Sequence, residues 1–157
     1  MKRADVMPSS KIPSPTQAAA ALRDELLARD WPTSDAVGHA NGANGQWAKD
    51  KRAAGELLGV WSANERTYRH PSFQFDASGI LRPPVRDLLI ALATHADFTP
   101  EADTGGWRRA FWLHGATLAL AGSDGAPRVA ADVFIVDPEA VICAARKDVD
   151  ADPQERW

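Results

Sequence analysis

Breakers recur along this chain at short intervals, and they limit how long any regular element can run. Trp31-Pro32 ends a first helical stretch, "PTQAAAALRDELLARD", because the residue before a proline avoids the α region. Asn41-Gly42 marks a turn, since both residues tolerate positive φ. Gly59 ends a further helix, Asp76 to Gly79 reads as a turn, and Pro83 or Pro84 opens a helix in whose first turn proline is tolerated. The pieces left between breakers are mostly helical in pattern. Thr16 is the expected cap of the first, whose apolar face carries Leu22, Leu26 and Leu27. Thr33 or Ser34 caps a short second helix with Ala36, Val37 and Ala40. "ANGQWAKDKRAAGELLG" is a third, with Trp47, Ala54 and Leu58 on one face and Gly45, Lys49, Arg52 and Glu56 on the other.

One stretch breaks the helical pattern. Val60-Trp61 and Thr67 to Phe75 favour strands, with Ser62 to Arg66 as their turn. Short helices followed by a hairpin are the plan of a winged helix-turn-helix. Helical signals then resume, with a stripe at Val85, Leu88, Leu89 and Leu92. "WRRAFWLHGATLALAG" is helical in pattern with a break near Gly115, "VAADVFIVD" is a short helix, and "PEAVICAARKD" starts at Pro138 with Asp137 as cap. The expected fold is mainly α with a small β-hairpin, a winged helix-turn-helix followed by a small helical bundle. Four segments follow: a flexible arm over 1–15, the winged helix-turn-helix domain over 16–75, a helical domain over 76–147, and a mobile acidic tail over 148–157.

Charge divides along the same line. Residues 1–75 hold ten Lys and Arg against eight Asp and Glu, while residues 76–157 hold eight against thirteen. A mildly basic front and an acidic back suit two different partners. No apolar run approaches the roughly 18 residues of a membrane span, and "MKRADVMPSSKIPSP" has no signal-type apolar core. A cytoplasmic protein without membrane contact is therefore expected. Cys143 is the lone cysteine, so no disulfide within the chain is available.

Catalytic signals are missing from the sequence. The four histidines, His39, His70, His95 and His114, are scattered without metal-ligand spacing. "GHANGANG" lacks the Lys-Ser/Thr of a phosphate loop, and Cys143 sits among apolar neighbours as a small core side chain. No enzyme activity, cofactor or metal is expected.

Two binding chemistries remain. A recognition helix needs long polar side chains near its start to reach base edges in the major groove. Asn44 and Gln46 supply them, and Lys49, Lys51 and Arg52 supply charge for phosphates or guanine. Arg66 and Arg69, with Tyr68 and His70, would form the wing. Against this stands the plain alternative that these cations are a solvated helix face beside Asp50 and Glu56. In the back half, Trp107, Arg108, Arg109 and Trp112 have the composition of an interface hot spot, set against a reading in which the tryptophans close a helical core.

The order "YRHPSFQFDASGILRPPVRDLL…GGWRRAFWL…LALAG…AADVFIVDPEAVICAAR" resembles the antitoxin-like proteins with an Xre/MbcA/ParS-type toxin-binding domain, in the subgroup carrying a different helix-turn-helix in front. The resemblance covers about residues 31–147. It implies a DNA-binding antitoxin-like regulator that binds its own operator as a homodimer and neutralises a partner toxin, of RES type in many members. A stand-alone dimeric transcription factor without a toxin is the alternative. The resemblance places the family's Trp-Leu helix on Trp112 and Leu113 and its Asp-Val-Phe helix on Asp132, Val133 and Phe134. The expected partner-binding residues are thus Arg108, Arg109, Trp112, Asp132 and Phe134. The chain departs from the family in "LAGSDGAPRVAADVF", which is longer and has Ala130 where a proline is expected. That loop is the expected seat of partner specificity.

Overall fold

In a computed structural model, Ile12 and residues 14–148 are described. Most of the arm expected over 1–15, and the acidic tail beyond Asp148, lie outside them. The chain divides into two compact units, residues 1–30 and 31–157. Within the described residues the fold is mainly helical, with two small antiparallel two-stranded sheets. No helix among them is long and apolar enough to cross a membrane.

The first unit contains α1 (Pro15–Leu27). Its cap is Ser14 rather than the expected Thr16. Ser14 Oγ accepts from the Gln17 N–H at 3.2 Å, and Gln17 Oε1 accepts from the Ser14 N–H at 2.9 Å. This reciprocal capping box satisfies two end donors at once, and Pro15 then occupies the first helical position, where its missing N–H costs nothing.

The second unit opens with α2 (Ser34–Ala40), capped by Thr33, and α3 (Gly45–Ala53), capped by Asn44. Gly42 takes φ 73° between them. A Cβ on Gly38 would overlap the Asn44 carbonyl, so the two backbones approach without a side chain between them. Asn41 ties this turn to the segment after the hairpin. Its Nδ2 donates to the Val37 and Gly79 carbonyls, and its Oδ1 accepts from the Leu81 N–H.

β1 (Val60–Ser62) pairs with β2 (Thr67–Arg69), Trp61 opposite Tyr68. The strand expected to run to Phe75 stops at Arg69, and Ser72–Gln74 form a 3₁₀ turn. Pro71 has no N–H for a ladder, and Gln74 supplies the pairing instead. Its fully buried amide accepts from Leu58 N–H at 2.8 Å and donates to the Leu58 and Pro71 carbonyls at 2.9 and 3.0 Å. Gln74→Ala takes the side-chain partner from the Leu58 N–H and carbonyl, while the Pro71 carbonyl keeps the residue-74 N–H at 3.4 Å, and is expected to cost about 2 kcal/mol. Urea unfolding checks this; a loss under about 0.5 kcal/mol, the range of a surface change, would show that the amide is replaceable.

α4 (Pro84–Leu92) buries Val85, Leu88, Leu89 and Leu92, the stripe legible in the sequence. α5 (Trp107–His114) stops at Gly115, which is extended. The residues beyond were expected to continue a helix. They form β3 (Ala116–Thr117) and a 3₁₀ turn (Leu118–Leu120) instead, and β3 pairs with β4 (Arg128–Val129). The long "GSDGAPR" segment is therefore the connection of a second hairpin. Arg128 Nε donates to the Leu120 carbonyl at 2.6 Å, and Asp124 Oδ1 accepts from Ala126 N–H, which close it. α6 (Ala130–Val136) and α7 (Pro138–Asp148) are the last described elements. Cys143 on α7, expected as a core side chain, is exposed because its apolar neighbours Val141, Ile142, Ala144 and Ala145 take the inward positions.

One buried cluster joins Leu58 and Phe73 from the front half to Leu88, Leu92, Phe98, Trp112, Leu113, Phe134 and Ile142. This cluster draws on residues on both sides of position 75. Phe73 meets Phe134 edge to face at 5.4 Å. A smaller cluster of Val37, Ala48, Leu57 and Phe75 lies under α2 and α3, with Leu81 packed against both.

Candidate nucleic-acid interface

The side chains of α3 sort differently from the helical wheel drawn on the sequence. Ala48 is fully buried and Trp47 partly so, while Gln46, Lys49, Asp50 and Ala53 are exposed and share one stripe at i, i+3, i+4 and i+7. Ala54, expected inside, is exposed, and Arg52, expected outside, is half-buried.

Arg52 is held from three sides. Its Nη1 donates to Ser34 Oγ at 2.8 Å and lies 2.9 Å from His70 Nε2, and its guanidinium sits 4.2 Å over the Tyr68 ring. His70 is fully buried, with Nδ1 3.0 Å from the Pro32 carbonyl. A carbonyl only accepts, so Nδ1 carries the proton and Nε2 accepts from Arg52. Burial, with Arg52 and Arg69 nearby adding to it, draws the imidazole down to about 4 despite the Pro32 bond, so His70 is neutral. Gly59 makes room for this pair, because a Cβ there would strike Arg52 Cδ and crowd the His70 ring. Arg52 and His70 thus fasten the end of α3 to the start of α2 and to β2.

The other expected DNA contacts divide in two. Lys51 pairs with Glu56 at 3.0 Å, and Arg69 forks onto both Glu65 oxygens while its Nη1 donates to the Trp31 carbonyl at 2.8 Å. Asn44 Oδ1 accepts from Trp47 N–H as the α3 cap. These side chains have structural work. Lys49 and Arg66 are exposed, with no side-chain hydrogen bond or ion pair among the described residues, and Arg66 sits at the hairpin tip with φ 57°. Gln46 is exposed, and its Nε2 donates to Asp50 Oδ1 at 2.8 Å. The hairpin body is anchored to the start of α5: Trp61 N–H donates to the Gly105 carbonyl, Trp107 Nε1 to the Trp61 carbonyl and Tyr68 Oη to the Thr104 carbonyl.

The expected partner-binding residues do not form one surface patch. Trp112 and Phe134 are core side chains. Arg109 is 5% exposed and paired with Asp103 at 2.9 Å. Arg108 is exposed with Asp97 3.6 Å away, and Asp132 is exposed on α6. Burying a large apolar side chain stabilises by about 1.5–3 kcal/mol, which accounts for the burial of Trp112 and Phe134 in the core. A feature the sequence did not suggest lies beside them. Exposed Ile80 and Ile135 line a groove of about 290 Å³ with Leu81, Pro83, Pro84 and Pro138, and exposed Val136 follows in the chain. No known protein family, curated protein or solved structure matches this chain.

Proposed function

We propose that the protein is a DNA-binding regulator of antitoxin type, with α2 and α3 as a helix-turn-helix, α3 as the reading helix and the β1–β2 hairpin as its wing. The observation that carries this reading is the α2–turn–α3 pair itself. The two helices close on Gly38 without an intervening side chain, and the second presents a polar stripe outward. Lys49 on that stripe and Arg66 at the hairpin tip are the cations with freedom to meet phosphates. Arg52, Lys51 and Arg69 act from behind, holding the reading helix and wing in shape.

A protein partner, a toxin in the antitoxin reading, would meet the exposed apolar groove between the 80–84 segment and α6. Apolar side chains clustered at a surface favour a partner over water. Co-purification with the product of a neighbouring reading frame tests that partner. A homodimer that binds an operator alone would favour the stand-alone transcription factor.

Because phosphate contacts release counterions, affinity for duplex DNA should fall steeply with salt. Lys49→Ala combined with Arg66→Ala is expected to flatten the logarithmic salt slope by about 2 and weaken binding to every duplex similarly. A titration by fluorescence anisotropy reads both quantities. Absence of wild-type binding at low salt, on upstream DNA and on random duplexes alike, sinks the DNA-binding reading.

A further inference from the structure

Resting on the DNA-binding reading above, we propose that Gln46 and Asp50 form one reading device on α3, selective for base edges that carry an exocyclic amine. Both side chains are exposed on the outward stripe, one turn apart, and joined by the 2.8 Å bond from Nε2 to Oδ1. A carboxylate only accepts, so Asp50 draws the N–H side of the Gln46 amide toward itself. Gln46 is left with its carbonyl and one N–H free. That is the pair of groups that meets adenine, the carbonyl accepting from N6 and the N–H donating to N7.

Asp50 selects in its own right. Its second oxygen, Oδ2, is an acceptor for which cytosine N4 and adenine N6 are the donors in the major groove. Guanine offers O6 and N7 there and thymine offers O4, all acceptors, which the carboxylate repels. Side chains three or four residues apart on a reading helix address successive base pairs. The device therefore calls for adenine at one position and an amine-bearing base beside it. The Asp50 charge also opposes any binding held by phosphates alone. Lys49 and Asp50 leave the outward stripe of α3 without net charge, so discrimination has to come from base edges.

The test uses the full chain and a pool of duplexes with a randomised central segment, followed by anisotropy on one selected duplex and one of unrelated sequence. Wild type should select adenine with adenine or cytosine beside it. Asp50→Asn, which still accepts from Gln46, should keep the adenine and lose the amine requirement at its neighbour. Asp50→Ala should blur both positions and bind the unrelated duplex about tenfold more tightly, the effect of removing one like charge from the groove. Gln46→Ala should lose the adenine alone. All three changes are on exposed side chains, and unaltered helical circular dichroism confirms the fold. If Asp50→Ala selects the same sequences with the same affinities as wild type, the device is overturned and DNA binding stands. If wild type binds no duplex at low salt, both fall.

Discussion

Asp103→Ala is expected to lower the unfolding free energy by about 3–5 kcal/mol, the cost of leaving one partner of a buried ion pair uncompensated. Asp103 and Arg109 are each about 6% exposed at the side chain, and Arg109 Nε donates to Asp103 Oδ2 at 2.9 Å. The same carboxylate accepts from the Arg108 and Arg109 backbone N–H groups, both at 3.1 Å, and so satisfies two of the donors left open at the start of α5. Arg109 Nη2 returns to the Asp103 carbonyl at 2.8 Å, closing the loop on itself. Gly106, in the left-handed region at φ 75°, has no side chain to cap the helix, so Asp103 does so from three residues earlier. Asp103→Asn should cost less, because one amide oxygen still meets backbone donors. Urea midpoints at constant m-value measure both variants. Equal stability of Asp103→Ala and wild type would show that α5 begins without this pair.

Acid should weaken the protein well above the pH at which ordinary carboxylates protonate. His70 sits at about 4 when folded and near 6.5 when the chain is unfolded. Between those values the unfolded chain binds the extra proton, so stability rises with pH across this window. The contribution is fully present above about 6.5 and is lost as pH falls toward 4, a change of about 3 kcal/mol. Glu56 and Glu65 are also held below their usual range, by bonds from Lys51 and Arg69 respectively, and their contributions disappear only at lower pH. Unfolding at pH 7.5 and 5 separates the two effects. In His70→Asn the slope between these pH values should vanish while the loss at lower pH remains. An unchanged slope would mean that His70 is not the group being titrated.

Elements with strong local causes could be read from the sequence. The α4 stripe is one, because Pro84 opens the helix and four apolar residues recur at helical spacing. The β1–β2 turn is another, and so is the Asn41-Gly42 turn between α2 and α3. The second hairpin was not legible, since "HGATLALAG" has good helix formers and β3 has only two residues. Gly115 and a pairing partner more than ten residues away decide it, and a local pattern carries no record of such a partner.

The candidate site divides in the same way. Which residues bear polar and cationic groups near α3 was plain from composition. What each one does was not, because a long side chain reaches either water or a neighbour at little intrinsic difference. Arg52 has the look of a DNA contact on a helical wheel, yet the missing side chain of Gly59 and the rings of Tyr68 and His70 give it a place inside. Arg109 follows Arg108 in the chain, but only Arg109 has Asp103 below it. The sequence by itself determined the elements with purely local causes, the apolar stripe of α4 and the turns at Asn41-Gly42 and between β1 and β2, since these depend on neighbours within a few residues. It did not determine the end of α3, which stops at Ala53 and not at Gly59, or the α3 stripe. Tertiary structure alone decided that, of the cations expected to contact DNA, Lys49 and Arg66 are the unengaged ones and that Gln46 and Asp50 stand together on the outward face. Charge pairing and burial depend on which surfaces the fold brings together.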